Sequence, residues 1–221
     1  MKLFQSTQPL QNVNSNILFY PTPLGNVYFN LIFNGDEIFS IKPLKTEFRD
    51  KTTISCWDLD ECYVEFLQTH IVPQIPSSMK IEASIAGIWR IKSLSKALFP
   101  VMKVHLDTKY EGSPDSGEGL ISQSFENDTF NLSIGTEDED YLSERARAQK
   151  WMPERLQNVL SSSAIEYIPN GIQFNSPQLE QSECIQIQFI VAWSLKKYPE
   201  ASSWFAVDQS PDYILKSLDM T

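Results

Sequence analysis

The stretch that decides the fold is CIQIQFIVAWSL, residues 184–195. Ile185, Ile187, Phe189, Val191, Trp193 and Leu195 fall at every second position, the period at which side chains share one face of a strand. The opposite face carries Gln186, Gln188, Ile190, Ala192 and Ser194, so it reads as partly covered. A strand this long needs partners, and the chain supplies them. Val27, Phe29, Leu31 and Phe33 alternate up to Asn34-Gly35, the dipeptide suited to a tight hairpin turn, with Ile38, Phe39 and Ile41 as the return strand. Ile165 and Tyr167 lead through Pro169-Asn170-Gly171 into Ile172 and Phe174, a second hairpin.

Further strands are expected at Met102, Val104 and Leu106, and at Phe130, Leu132 and Ile134. Another runs through Ile81, Ala83 and Ile85 to Gly87, where a bulge would let Trp89 and Ile91 continue the pattern.

Helices are expected between the strands. Leu59, Cys62, Tyr63, Phe66, Leu67 and His70 match a 3.6-residue period, with Asp58 and Glu61 as a capping box. Thr136 and Glu139 make a second capping box, followed by early acids and the late bases Arg145, Arg147 and Lys150, an order that complements the helix dipole. Pro153 kinks this helix or begins another with Met152, Leu156, Val159 and Leu160 inward. Pro199 and Pro211 suit the first turns of short helices, the latter capped by Ser210. The expected class is therefore α+β: antiparallel sheets built from hairpins, with three to five helices packed on one side. Three regions are expected: a β-hairpin, helix and strands over 1–110, an acidic Gly/Ser/Pro loop over 111–124, and an α+β region over 125–221. One continuous domain is the alternative.

With 221 residues, 42% apolar and 21% charged, the chain has the composition of one large or two small globular domains rather than a disordered or fibrous protein. It has no apolar run long enough to span a bilayer and no evident signal peptide. Three cysteines (Cys56, Cys62 and Cys184) are too few and too odd a set for a disulfide framework, which points to the cytoplasm.

The net charge of −10 is concentrated in one place. Residues 1–110 carry 11 bases and 10 acids, and residues 145–221 carry 7 bases and 8 acids. Glu111 to Glu144 holds ten acids and no Lys or Arg, so the whole excess lies there. Such a block repels nucleic acid and anionic lipid, and it steers basic proteins. The candidate partner-binding residues are Glu118, Glu137, Asp138, Glu139 and Asp140, with Trp204 and Phe205 as an aromatic anchor.

Chemistry-bearing motifs are sparse. The chain lacks a P-loop, a dinucleotide fingerprint, a nucleophile elbow and zinc-ligand spacings, so no cofactor is expected. His70 and His105 stand 35 positions apart, with no nucleophile at a useful spacing from either. Arg145, Arg147, Lys150 and Arg155 beside Trp151 could grip a phosphate, but directly behind an acidic turn they read as the cationic end of a helix.

No family is recognised across the chain. The segment Cys56-Trp57-Asp58-Leu59-Asp60-Glu61-Cys62 resembles the D-x-D motif of haloacid-dehalogenase-like phosphatases, and Ile134-Gly135-Thr136-Glu137-Asp138 resembles their later acidic motif. The resemblance implies Asp58 as nucleophile and Asp60 as general acid/base, both helping to hold Mg²⁺.

The expected function is a non-catalytic protein-binding module, of the type of an acidic inhibitor or immunity protein, with a basic protein as partner. The alternatives are an Mg²⁺-dependent phosphohydrolase using Asp58 and Asp60, and an accessory subunit of a larger assembly.

Overall fold

The computed structural model describes residues 18–33, 36–148, 152–160 and 164–217. The first sheet has the strand order β1 (Phe19–Thr22), β2 (Gly25–Phe33), β8 (Val101–Asp107), β13 (Gly171–Asn175) and β12 (Ile165–Ile168), with β3 (Asp36–Glu37) also paired to β2. The second sheet runs β4 (Lys45–Arg49), β5 (Thr52–Asp58), β6 (Cys62–His70), β7 (Ala83–Ser93), β14 (Cys184–Leu195), β11 (Phe130–Glu137), β10 (Leu120–Glu126) and β9 (Ser113–Gly117). Every pairing is antiparallel.

The two sheets face each other across one apolar core. Val27, Phe29, Leu31, Val104 and Phe174 from the first sheet meet Trp57, Phe66, Trp89, Leu132, Ile187 and Phe189 from the second. Aromatic rings fill its centre: Phe66 and Trp89 have centroids 4.3 Å apart, and Phe29 lies 5.5 Å from Phe66. Each such side chain contributes about 1.5–3 kcal/mol by leaving water.

A second core covers the outer face of the larger sheet. Ile54, Leu67, Ile88 and Ile190 pack there with Ala206 and Val207 of α2 (Ser202–Val207) and Ile214 and Leu215 of α3 (Pro211–Ser217). Leu142 and Ala146 of α1 (Glu139–Ala148) instead join the core between the sheets.

The molecule is thus a β-sandwich-like fold, 51% strand and 14% helix, rather than α+β with three to five helices on one side. The main reason is the 59–70 segment, which is strand β6 and not a helix. Cys62, Val64 and Phe66 face the core between the sheets while Leu67 faces the outer core, so a strand covered on both faces carries the adjacent apolar pair Phe66-Leu67. That pair is what imitates a helical stripe. Asp58 and Glu61 flank a hairpin turn, closed by Leu59 N–H donating to the Cys62 carbonyl at 3.0 Å, and cap no helix.

Other expectations shift in detail. Residues 38–40 form a 3-10 turn after the two-residue β3, not a full return strand, and Asn34-Gly35 lies outside the described residues. No bulge interrupts β7 at Gly87, whose pairing is continuous with both neighbours. The cap of α1 is Asp138, whose Oδ1 accepts the Tyr141 N–H at 2.9 Å, while the Thr136 hydroxyl donates to the Gln188 carbonyl. Pro153 precedes a 3-10 turn, Glu154–Asn158, in which Leu156 is fully buried and after which Val159 is exposed. Pro199 lies ahead of α2 rather than in its first turn, whereas Ser210 caps α3 through Oγ, which accepts the Tyr213 N–H.

The long strand β14 forms where the sequence places it, and the fold sets it between β7 and β11. The 165–174 hairpin also forms, with Asn170 at φ +60° in its turn. The stretch expected as an acidic loop carries β9 and most of β10, and strands from before and after it pair within both sheets.

Candidate functional site

On the outer face of the larger sheet, β9, β10 and β11 are left uncovered by α3 and bordered by α2. Side chains alternate across each strand, so one face of this three-strand edge presents Ser113 and Asp115, Ser124 and Glu126, and Asn131 and Ser133. These residues floor a cleft of about 600 Å³, walled by Glu111, Glu200, Ala201, Ser203 and Trp204.

The wall is held by short-range packing. The Ser133 hydroxyl hydrogen-bonds that of Ser203 at 3.0 Å and that of Ser124 at 3.2 Å, which ties α2 to the sheet. Trp204 closes directly over Gly117, where a Cβ would lie 2.7 Å from the indole, so any larger residue at position 117 would push the ring away. Phe205 packs edge-on against Trp204 at 5.1 Å.

Four carboxylates, Glu111, Asp115, Glu126 and Glu200, share this lining, and no Lys, Arg or His is among the described residues that form it. Lys196 pairs with Glu126 at 2.9 Å and neutralises part of the charge. Asp115 Oδ1 accepts the Ser116 N–H, and the Asp115 carbonyl accepts the Tyr167 hydroxyl at 2.6 Å. The Ser116 N–H is thereby occupied, and Pro114 has no N–H to offer, so β9 is a poor template for an added strand. Asn131 is nine-tenths buried as a residue, and its side-chain amide opens to the cleft with no protein hydrogen-bond partner among the described residues. The Trp204 Nε1 donor is likewise unpartnered.

The expected partner-binding residues do not form one patch. Trp204 lines the cleft, and Phe205 supports it from behind. Glu118 is exposed in the β9–β10 turn and Asp140 on α1, both outside the cleft lining. Glu137 is buried against Arg145, with Nη1 donating to Oε2 at 2.7 Å. Burial outweighs that partner and pushes the Glu137 carboxyl up and the Arg145 guanidinium down from their ordinary values. Asp138 caps α1, and Glu139 Oε1 accepts the Ile165 N–H at 3.1 Å. These three acids are therefore occupied within the fold.

Of the four bases proposed as a cationic helix end, Arg145 is internal, Arg147 is exposed on α1 and Arg155 is paired with Glu183, while Lys150, like Trp151, lies outside the described residues. Asp58 and Asp60 are both exposed at the β5–β6 turn, and neither lines a described cavity. A smaller cavity of about 80 Å³ lies beside Glu137, Gln188 and Asp208, enough for roughly two waters.

Sequence reading missed Glu200, Asn131, Ser133 and Ser203. Only Glu200 carried a signal, an acid four residues before Trp204 in a proline-led turn. The others become site residues because β11 happens to turn that face outward beneath α2.

No family model matches the chain, and no curated protein does. Among solved structures, a protein described as a kojibiose phosphorylase from the human microbiome is similar over 92% of this chain and 28% of its own, at 10% identity and a TM-score of 0.42. A polysaccharide lyase is similar over 77% of this chain and 25% of its own, at 9% identity and a TM-score of 0.35. This chain therefore spans about a quarter of the length of each of these proteins.

Proposed function

We propose that this chain is a non-catalytic binding module that receives a basic protein through the cleft between the β9–β11 edge and α2. The observation that carries this reading is the lining itself: four carboxylates around a tryptophan, with no cation among the described residues that form it. Carboxylates held in common around a concavity focus a negative potential and raise the rate at which a cationic partner arrives. An indole on the wall adds attraction for that cation, about 0.5–2 kcal/mol depending on how far the site is desolvated. No helix among the described residues is long and apolar enough to cross a membrane, so a membrane anchor is no part of this reading.

The experiment is capture of basic proteins on the immobilised chain at rising salt. The parent should retain them at low ionic strength and release them near the concentration where charges are screened within about 8 Å. The Asp115→Asn, Glu200→Gln double variant should retain markedly less. Equal retention by both proteins would remove the cleft from the function.

A further inference from the structure

We infer that the cleft binds a peptide segment of its partner, a lysine or arginine side chain entering among Glu111, Asp115 and Glu200 while the Asn131 amide pairs with the ligand main chain. The inference rests on the binding-module reading above and specifies its ligand. Carboxylates alone would suit any cation, including a free polyamine. The floor says more, because Asn131, a nine-tenths buried residue, opens its side-chain amide to the cleft with no protein partner among the described residues. An amide that offers both a donor and an acceptor there is matched by a group offering both in return, and a peptide unit is such a group.

The neighbouring groups leave Asn131 available for this. Ser133 is engaged with Ser203 and Ser124, and Glu126 with Lys196, so these four cleft residues already have partners within the protein. Asn131 sits on β11 directly opposite Glu126 on β10. A main chain lying over it places a side chain of two or more methylenes toward the carboxylates and Trp204, where the aliphatic stem meets the indole and the charge stays with the acids. The edge of β9 matters here, since Pro114 lacks an N–H and the Ser116 N–H is taken by Asp115, which favours insertion into the cleft over strand addition beside it.

The test uses the full chain and three probes in titration calorimetry: the peptide Ala-Lys-Ala-Lys-Ala-amide, the same peptide with both lysines acetylated, and spermidine. The lysine peptide should bind and acetylation should abolish binding. Asp115→Asn and Glu200→Gln, both on exposed side chains, should weaken the lysine peptide and spermidine alike. Asn131→Ala should weaken the peptide by about three- to tenfold, the value of one hydrogen bond, and leave spermidine unchanged.

Equal loss for both probes in Asn131→Ala, or loss for neither, overturns the main-chain contact. Undiminished binding of the acetylated peptide or of a neutral oligosaccharide overturns the cationic-peptide assignment. Loss of binding on Glu118→Gln or Asp140→Asn, with the cleft variants unaffected, overturns the cleft assignment and leaves only a basic-protein binder that makes its contact elsewhere. Failure of the parent to retain any basic protein removes that reading as well.

Discussion

The ring of Phe29 on β2 lies flat enough on the backbone of Gly87 on β7 that a Cβ at position 87 would sit 2.5 Å from two of its carbons. This close approach of the two sheets explains a glycine in the buried middle of β7. Glycine here serves close approach rather than a bulge.

Gly87→Ala should therefore overpack the core. The added methyl must displace Phe29 or bend β7, at a cost of about 1–3 kcal/mol. Denaturant unfolding would read this as a lower midpoint at unchanged slope. A midpoint equal to the parent's would mean that the ring moves freely and that the sheets are not locked at this point.

The Glu137–Arg145 pair predicts a strongly non-additive cycle. Arg145→Met alone leaves a carboxylate buried without its partner and should cost about 3–5 kcal/mol. Adding Glu137→Met removes the stranded charge and should recover most of that loss. Unfolding free energies of the two single variants and the double variant measure the coupling. Additive losses would show the pair to be independent.

Thiol reactivity should divide by burial. Cys62 is buried, and its thiol is pushed up to about 12, by burial first and by the nearby Glu61 second. Cys184 is partly exposed but also raised by burial, and Cys56 is partly exposed. A thiol-specific chromophore at pH 8 should label Cys56 readily and Cys184 more slowly, with Cys62 reacting only after unfolding. Labelling of Cys62 in the native protein would show that β6 opens locally.

His105 sets a pH dependence of known sign. It stacks on Tyr28, with centroids 5.2 Å apart, and its Nδ1 is buried without a partner among the described residues. Burial first, and then Lys103, lowers its folded-state pKa from 6.5, so the unfolded chain binds the proton more readily. The contribution is complete above about pH 6.5 and is lost as pH falls towards the folded-state value. Thermal melts from pH 7.5 to 5 should fall more steeply for the parent than for His105→Gln. Parallel curves would contradict the assignment.

The alternation in 184–195, 27–33, 102–106 and 130–134, together with the Asn170-Gly171 turn, determined β2, β8, β11, β13 and β14 by itself. Period-2 patterning is a local property, fixed by which faces a strand must bury. It fails where both faces are buried, as at Phe66-Leu67, because the sequence then carries apolar neighbours and no longer records the period. It also fails for an edge strand made of Ser, Pro, Asp and Gly, since β9 buries almost nothing and has nothing to pattern.

The concentration of ten acids in 111–144 was visible in the sequence alone. Their division was not, because charge follows the chain whereas a site follows the surface. Tertiary folding sent Glu137 to a buried guanidinium and Asp138 to a helix end. It brought Glu111, Asp115 and Glu126 beside a distant Glu200 and Trp204. Strand pairing and helix docking join residues some 90 positions apart, and no local rule encodes which face of β11 will look out beneath α2.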